Sequence, residues 1–465
     1  MEQILNDWLD AHRAEILSDV ETLVNIPSVN APAEEGMPFG REVSRALQAA
    51  LEIGKKLGFE TVNYDNYAGS VSWGTEGKQI GLLSHIDVVP AGDGWTKEPF
   101  RASCSDGSIW GRGVIDDKGP MVASLYAMKA IAECRLPVKN HVRHIIGADE
   151  ETGLVSIDYY KAHQPAPWGG FSPDGEFPVI HAEKGILRFF VKQVWQKPEK
   201  SGSLRVVQIE SGNSINVVPS KAWAVIEGTE EGCKTVSDVF AAKTRTGLRI
   251  EKKDGRITIN AEGKGCHSSK PWMGISAASL LLKFLEELPL EEDPGYAYIM
   301  SLALLFADND GNGIGIKCED KLSGPLTMNM GILRINMEGG SAKVEVRYPI
   351  HASKDVILRT IQTECREKGL EFEIAQDKHS LYIPVKAPII QSLWNSYKEV
   401  SGRDEPPVVI GGGTYCRSFE NFAAFGPVFP GEPELAHEPN EHIDIEELML
   451  SAKIYVQALY QLLNI

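Results

Sequence analysis

The sequence predicts an α/β protein: a mixed, mainly parallel sheet flanked by helices, interrupted by an inserted α+β domain. Three observations predict it. Helix-like and strand-like segments alternate through the first part of the chain, the rhythm of βαβ units that stack parallel strands between layers of helices. From about residue 187 the texture changes to short strands interspersed with helices. From about residue 382 helix and loop return, so one domain is expected from 1–186 and 382–465, with 187–381 inserted into it.

Residues 3–25 and 39–57 carry apolar side chains at helical spacing, and 78–89 (KQIGLLSHIDVV) is an apolar strand ending in polar residues. A helix is expected at 118–134, then a strand and turn over 142–153. The insert has expected strands at 188–195, 204–209, 221–228, 256–262, 328–335 and 342–348. Helices near 235–243, 274–287 and 353–368 lie among them, with a hairpin turn at 252–255. The last segment is helical at 387–400 and 445–463. Active groups of a parallel sheet collect at the carboxyl ends of its strands. The polar clusters His85-Ile86-Asp87 and Asp149-Glu150-Glu151 stand at two such ends.

Composition narrows the function. With 465 residues, 43% of them hydrophobic, the chain can bury a large core. A net charge of -17, from 47 basic and 64 acidic residues, argues against nucleic acid or an anionic membrane as a partner. Apolar runs such as SLALLF and SLLLKFL fall far short of the ~18 residues that span a bilayer. The N-terminus reads as an amphipathic surface helix rather than a targeting segment. Cys104, Cys134, Cys233, Cys266, Cys318, Cys365 and Cys416 are scattered without CxxC pairing. Neither disulfides nor a thiolate zinc site is expected, in keeping with a reducing, cytoplasmic location.

Five short motifs can carry chemistry. In Ser84-His85-Ile86-Asp87, side chains two apart on a strand face the same way, so Asp87 can hold one ring nitrogen of His85 and leave the other as a metal ligand. A strand-end His and Asp meeting solvent is the plainer alternative. In Gly111-Arg112-Gly113-Val114-Ile115-Asp116-Asp117-Lys118, glycines flank two adjacent acids before a helix. A helix N-cap accounts for one of those acids but not both. Asp149-Glu150-Glu151 places three carboxylates together at a strand end, where either a cation or simple solvation relieves their repulsion. Asp174 in Pro173-Asp174-Gly175-Glu176 is a ligand or a turn former. Ala436-His437-Glu438-Pro439-Asn440-Glu441 is a polar loop before the last helix.

Together the motifs allow a charge count. If His85, Asp116, Glu151, Asp174 and His437 were the ligands, with Asp116 shared, three carboxylates and a hydroxide would balance two divalent ions. Glu150 would be left over as a base. Nitrogen and oxygen donors without thiolate suit Zn²⁺, Mn²⁺ or Co²⁺.

The set SHIDVVPAGDGW, GRGVIDDKGP, ADEETG, SPDGEFP, GGGTYCR and HEPNE resembles the co-catalytic metallopeptidases that include aminoacylases, carnosinases and peptidase V, over the whole chain in unbroken order. The likeness is greatest to the peptidase V type, the bacterial Xaa-His dipeptidases. It implies a zinc-peptidase-like catalytic domain carrying two divalent ions, zinc first, and a lid formed by the insert. His85 and Asp174 would bind one ion, Glu151 and His437 the other, and Asp116 would bridge them, with its bond to Asp117 expected to be cis. Asp87 would orient His85, and Glu150 would be the general base. In the insert His267 would polarise the scissile carbonyl, and Asn216 and Arg347 would hold the substrate. Alone, these three read as a surface histidine, a turn former and an exposed strand charge. Backbone donors of the loop Gly411-Gly412-Gly413-Thr414, with Arg417, would meet the substrate carboxylate. Cys416 stands where the family commonly has Ala, either as a thiol near the site or as a small buried residue. The implied activity is hydrolysis of dipeptides of Xaa-His or β-Ala type by a monomer. An N-acyl-amino-acid or succinyl-diaminopimelate deacylase shares every ligand, and a non-catalytic binding protein on the same scaffold is the third possibility.

Overall fold

The computed structural model describes residues 2–196, 204–253 and 255–465. The chain forms two compact units. One comprises Met1–Ala182, Tyr382–Val408 and Thr414–Ile465; the other comprises Glu183–Leu381 and Val409–Gly413.

The first unit is α/β, built on a mixed sheet whose centre is parallel. The strand Gln79–His85 runs beside His141–Gly147 on one side, in register from Gln79↔His141 to His85↔Gly147, and beside Gly169–Ser172 on the other. Phe422–Ala424 extends the parallel set beyond Gly169–Ser172. Ala68–Trp73 and Glu60–Tyr64 add an antiparallel flank. Residues Ile80–His85 are all buried, the near-continuous apolar run of a strand covered on both faces.

The helix Lys118–Glu133 is buried on almost every side, as its evenly apolar sequence requires, and it packs against the last helix, Ile445–Leu462. Arg41–Lys56 buries Val43, Ala46, Leu47, Ala50 and Leu51 and ends on exposed lysines. The single helix expected at 3–25 is two, Glu2–Ala11 and Arg13–Val24. The break falls at His12, whose ring stacks on Trp8 at 3.7 Å and whose Nδ1 donates to the Trp8 carbonyl at 2.7 Å. The antiparallel flank was not expected, because Glu60–Tyr64 is a largely exposed edge strand with no strict alternation. The helix Val155–His163 was also unforeseen.

The second unit is α+β, with an eight-stranded antiparallel sheet. Its order is Leu248–Lys253, Arg256–Glu262, Lys221–Glu227, Arg205–Ser211, Thr327–Asn336, Gly339–Tyr348, Gly185–Val194 and Glu371–Lys378. Alternate residues, such as Leu187, Phe189 and Val191 or Val344 and Val346, form one core with Leu281, Leu285, Leu302 and Phe306 from the helices Ala277–Leu285 and Pro294–Phe306. The second of these helices was unforeseen, because PGYAYIMSLALLF is apolar nearly all round and shows no helical period. Its start is marked chemically: Pro294 opens it, and Asp293 accepts the Tyr296 N–H at 2.8 Å. Leu248–Lys253 and Arg256–Glu262 form a hairpin, although Asp254 of the expected 252–255 turn lies outside the described residues. No helix among the described residues is long and apolar enough to cross a membrane.

Candidate functional site

His85 is the last residue of the central strand Gln79–His85, fully buried. Its Nδ1 lies 3.0 Å from the backbone carbonyl of Asp87 and 3.4 Å from an Asp87 carboxylate oxygen. The carbonyl is the nearer acceptor for the ring N–H, with the Asp87 carboxylate beside it. The Asp87 carboxylate also accepts the backbone N–H groups of Glu150 and Glu151, each at 3.1 Å, and the Asn30 amide at 3.1 Å. One buried acid thus holds the backbone of the turn that follows the strand His141–Gly147.

With Nδ1 engaged, Nε2 of His85 faces Asp116 Oδ1 at 2.7 Å and Asp174 Oδ2 at 3.8 Å. The other oxygen of Asp116 lies 3.0 Å from Nε2 of His437, which is also 3.1 Å from Glu151. Two trios result, His85–Asp116–Asp174 and Asp116–Glu151–His437, and in each the donor atoms lie within 4.8 Å of one another. The bond between Asp116 and Asp117 is cis. The Asp117 side chain turns inward, where it accepts the His85 N–H at 3.2 Å.

The chemistry of this donor set fits two divalent cations. Each trio offers one imidazole nitrogen and two carboxylates, the neutral-to-anionic mix that suits zinc-like ions. His437 is pushed up to about 11 by its hydrogen bonds to Asp116 and Glu151. Burial opposes charge on His85, but hydrogen bonds to Asp116 and Asp87 hold it well above the usual imidazole range. Asp174 is pushed up to about 7, by burial first and then by the neighbouring Asp116 charge. Glu150 is raised well above the usual carboxylate range by burial, and the charges of Asp174, Glu151 and Asp116 add to that. It is a member of neither trio, although it shares their electrostatic surroundings.

Tyr415 closes the wall beside His85, its ring edge-on at 6.3 Å and its hydroxyl 2.8 Å from Ser156 Oγ. That hydroxyl explains Gly147 at the end of the neighbouring strand, since a Cβ there would sit 1.7 Å from it. Cys416 is a small, fully buried residue. Thr414 caps the short turn that holds Tyr415, Cys416 and Arg417 by accepting the Cys416 N–H.

In the second unit the structure gathers Asn216, His267 and Arg347. Ser268 donates its N–H to the Asn216 carbonyl at 2.9 Å, and Val217 bridges to His267. His267 Nε2 lies 3.5 Å from Arg347 Nη2, and Nδ1 lies 2.7 Å from Ser269 Oγ. Arg347 also donates to the Gly411 carbonyl at 2.6 Å and to Glu345 at 2.7 Å. Buried Glu345 is in turn bonded by Ser268 Oγ and, at 2.6 Å, by Arg188. Gly413 belongs to this unit, while Thr414 and Arg417 belong to the first. Arg347 is only 3% exposed, which excludes its reading as an exposed strand charge.

A parallel-centred α/β unit with two linked His–carboxylate trios, one of them seated at its strand ends, is the architecture of a metal-dependent hydrolase. The chain belongs to peptidase family M20/M25/M40, whose model matches residues 81–461. It is 38% identical over 458 residues to "Putative dipeptidase YtjP" of Bacillus subtilis (strain 168), covering 97% of each chain. It is 32% identical over 454 residues to a "Putative dipeptidase" of Staphylococcus epidermidis, covering 96% of this chain and 97% of that one. The fold is similar to that of human carnosine dipeptidase 1, with a TM-score of 0.60 at 14% identity over 99% of this chain and 98% of that one.

Proposed function

We propose that the protein is a dipeptidase that holds two divalent ions, zinc first, with manganese or cobalt as alternatives. The observation that carries this reading is the Asp116 carboxylate, which gives one oxygen to the His85 trio and the other to the His437 trio. His85 and Asp174 would hold one ion, Glu151 and His437 the other, with Asp116 common to both. Bound there, the ions supply Lewis acidity, polarising a carbonyl and letting water lose a proton near neutral pH.

The protein's own groups do the rest. Glu150 takes the proton of the attacking water and returns it to the leaving amine nitrogen. Asp87 fixes the backbone of Glu150 and Glu151 so that base and ligand keep their spacing. In the second unit, His267 is assigned to the carbonyl oxygen, and Asn216 and Arg347 to holding the substrate. Backbone donors around Gly413 and Thr414, with Arg417, are assigned to the substrate carboxylate. The curated relatives' names support dipeptides as the substrate class. The motif likeness to the peptidase V type supports Xaa-His and β-Ala dipeptides within it, and a monomeric cytoplasmic enzyme.

The test is a substrate panel on protein reloaded with each metal in turn. Dipeptides, Xaa-His and β-Ala-His among them, are expected to be cleaved at least tenfold more efficiently than N-acetyl amino acids and N-succinyl-diaminopimelate. The reverse order would assign the protein to the deacylases.

A further inference from the structure

Glu441 is fully buried four residues beyond His437, yet it faces neither trio. Its carboxylate reaches the segment that leads into Asp116. One oxygen accepts the Gly113 N–H at 3.0 Å and the Arg112 guanidinium at 2.8 Å; the other accepts the Ile115 N–H at 2.9 Å and lies 3.4 Å from the Asp116 N–H. The Glu441 carbonyl accepts the Gly111 N–H at 3.0 Å. Arg112, 1% exposed, completes the circuit, because its second amino group donates to the carbonyls of His437 at 3.1 Å and Ala91 at 3.2 Å. Its guanidinium also lies over the Trp95 ring at 5.2 Å.

The two trios differ in what holds them. His85 ends a central strand, and Asp174 follows another, Gly169–Ser172, so the sheet positions both. His437 lies in a loop, in the left-handed region at φ 67, and Asn440 at φ 63 shares that conformation. Such backbone in non-glycine residues persists only where its surroundings hold it. Here the holders are Arg112 on the His437 carbonyl and Asn440 on Thr96, whose N–H and hydroxyl each lie 2.8 Å from the Asn440 side-chain oxygen.

We propose that Arg112 acts as a positioning residue for one ion only, the one assigned to Asp116, Glu151 and His437, while Glu441 fixes the Asp116 segment that both ions share and the sheet seats the rest of the other site. The inference rests on the paired-ion reading above and adds a division of labour to it. A guanidinium is needed because its fork reaches the Glu441 carboxylate and the His437 carbonyl at once, which a lysine ammonium on a single stem does not do.

Metal-free wild type, Arg112→Lys and Glu441→Gln are titrated with Zn²⁺ against a chromophoric chelator at pH 7, with circular dichroism recorded on each. Wild type is expected to take up two ions. In Arg112→Lys the first should bind within about threefold of wild type and the second 10–100-fold more weakly, the usual effect of removing a group that supports a ligand, whereas Glu441→Gln should weaken both. In Arg112→Lys, unchanged affinity for the second ion, or parallel loss of both, overturns the proposal. If Glu441→Gln does not fold, Arg112→Lys decides alone. Unfolding of both variants would assign the pair to stability and overturn it too. Fewer than two ions in the wild type would sink the paired-ion reading itself, and this inference with it.

Discussion

Asp87 serves three elements at once. Its backbone carbonyl takes the His85 ring N–H, its carboxylate takes two consecutive N–H groups at Glu150 and Glu151, and Asn30 satisfies what remains. A group with those partners acts on position, whereas Glu150, outside both trios, is the residue proposed to act on protons. The two roles separate by measurement. Asp87→Ala should weaken metal binding 10–100-fold, read by chelator competition, with turnover falling because of it. Glu150→Ala should lower kcat by about 10²–10⁴-fold with two ions still bound, read by metal analysis on the same sample. A Glu150→Ala protein with undiminished kcat would remove that residue from the chemistry.

Elements make their own demands around the site. The strand His141–Gly147 ends on a glycine because Tyr415 occupies the space a side chain would need. Gly147→Ala should destabilise the protein by about 1–3 kcal/mol, the usual range for overpacking, read as a lower urea midpoint. On the same strand, fully buried His144 gives Nε2 to Ser84 Oγ at 2.8 Å, and Nδ1 has no hydrogen-bond partner. Burial pushes this imidazole down to about 3. An unfolded histidine titrates near ~6.5, so between those values the unfolded chain binds the extra proton and the folded one does not. The stability it contributes is complete above pH ~6.5 and declines as pH falls, by at most ~1.4 kcal/mol per unit. His144→Gln should flatten the loss seen between pH 7 and 5 in urea titrations at fixed metal. An identical slope in the variant would exclude His144 as its source.

The same elements show what the chain discloses before it folds. The apolar strand ending at His85 and the acids after Gly147 are readable because a buried strand and a polar cluster contrast sharply. Side chains that act on backbone are not readable in this way. Nothing in HEPNE says that Glu441 bonds the backbone after Gly111, and Arg112 looks like an ordinary loop charge. Helix Pro294–Phe306 escaped because uniform apolarity has no period, and Glu60–Tyr64 because an exposed edge has no alternation. The segment Val409–Gly413 belongs to the second unit although its neighbours belong to the first, a division that no local pattern records.

At the scale of the molecule, five ligand candidates come from segments far apart in sequence, so cations bound among them act as ties across the first unit. Their removal should lower the melting temperature. With free metal at about 100 times Kd the linkage is worth roughly 2.7 kcal/mol, and more when binding is tighter. Scanning fluorimetry with and without a chelator measures it, and equal melting temperatures would show that the ions are not structural ties.

The first unit is interrupted, and the interruption sets an order of events during synthesis. His85, Asp116, Glu151 and Asp174 leave the ribosome before most of the second unit, but His437 and Glu441 emerge after it. Until they do, Asp116 has only half of its neighbours, and the amides of Gly113 and Ile115 await their acceptor. A chain that has not yet reached His437 therefore lacks one imidazole of the second trio and the acceptor of those two amides.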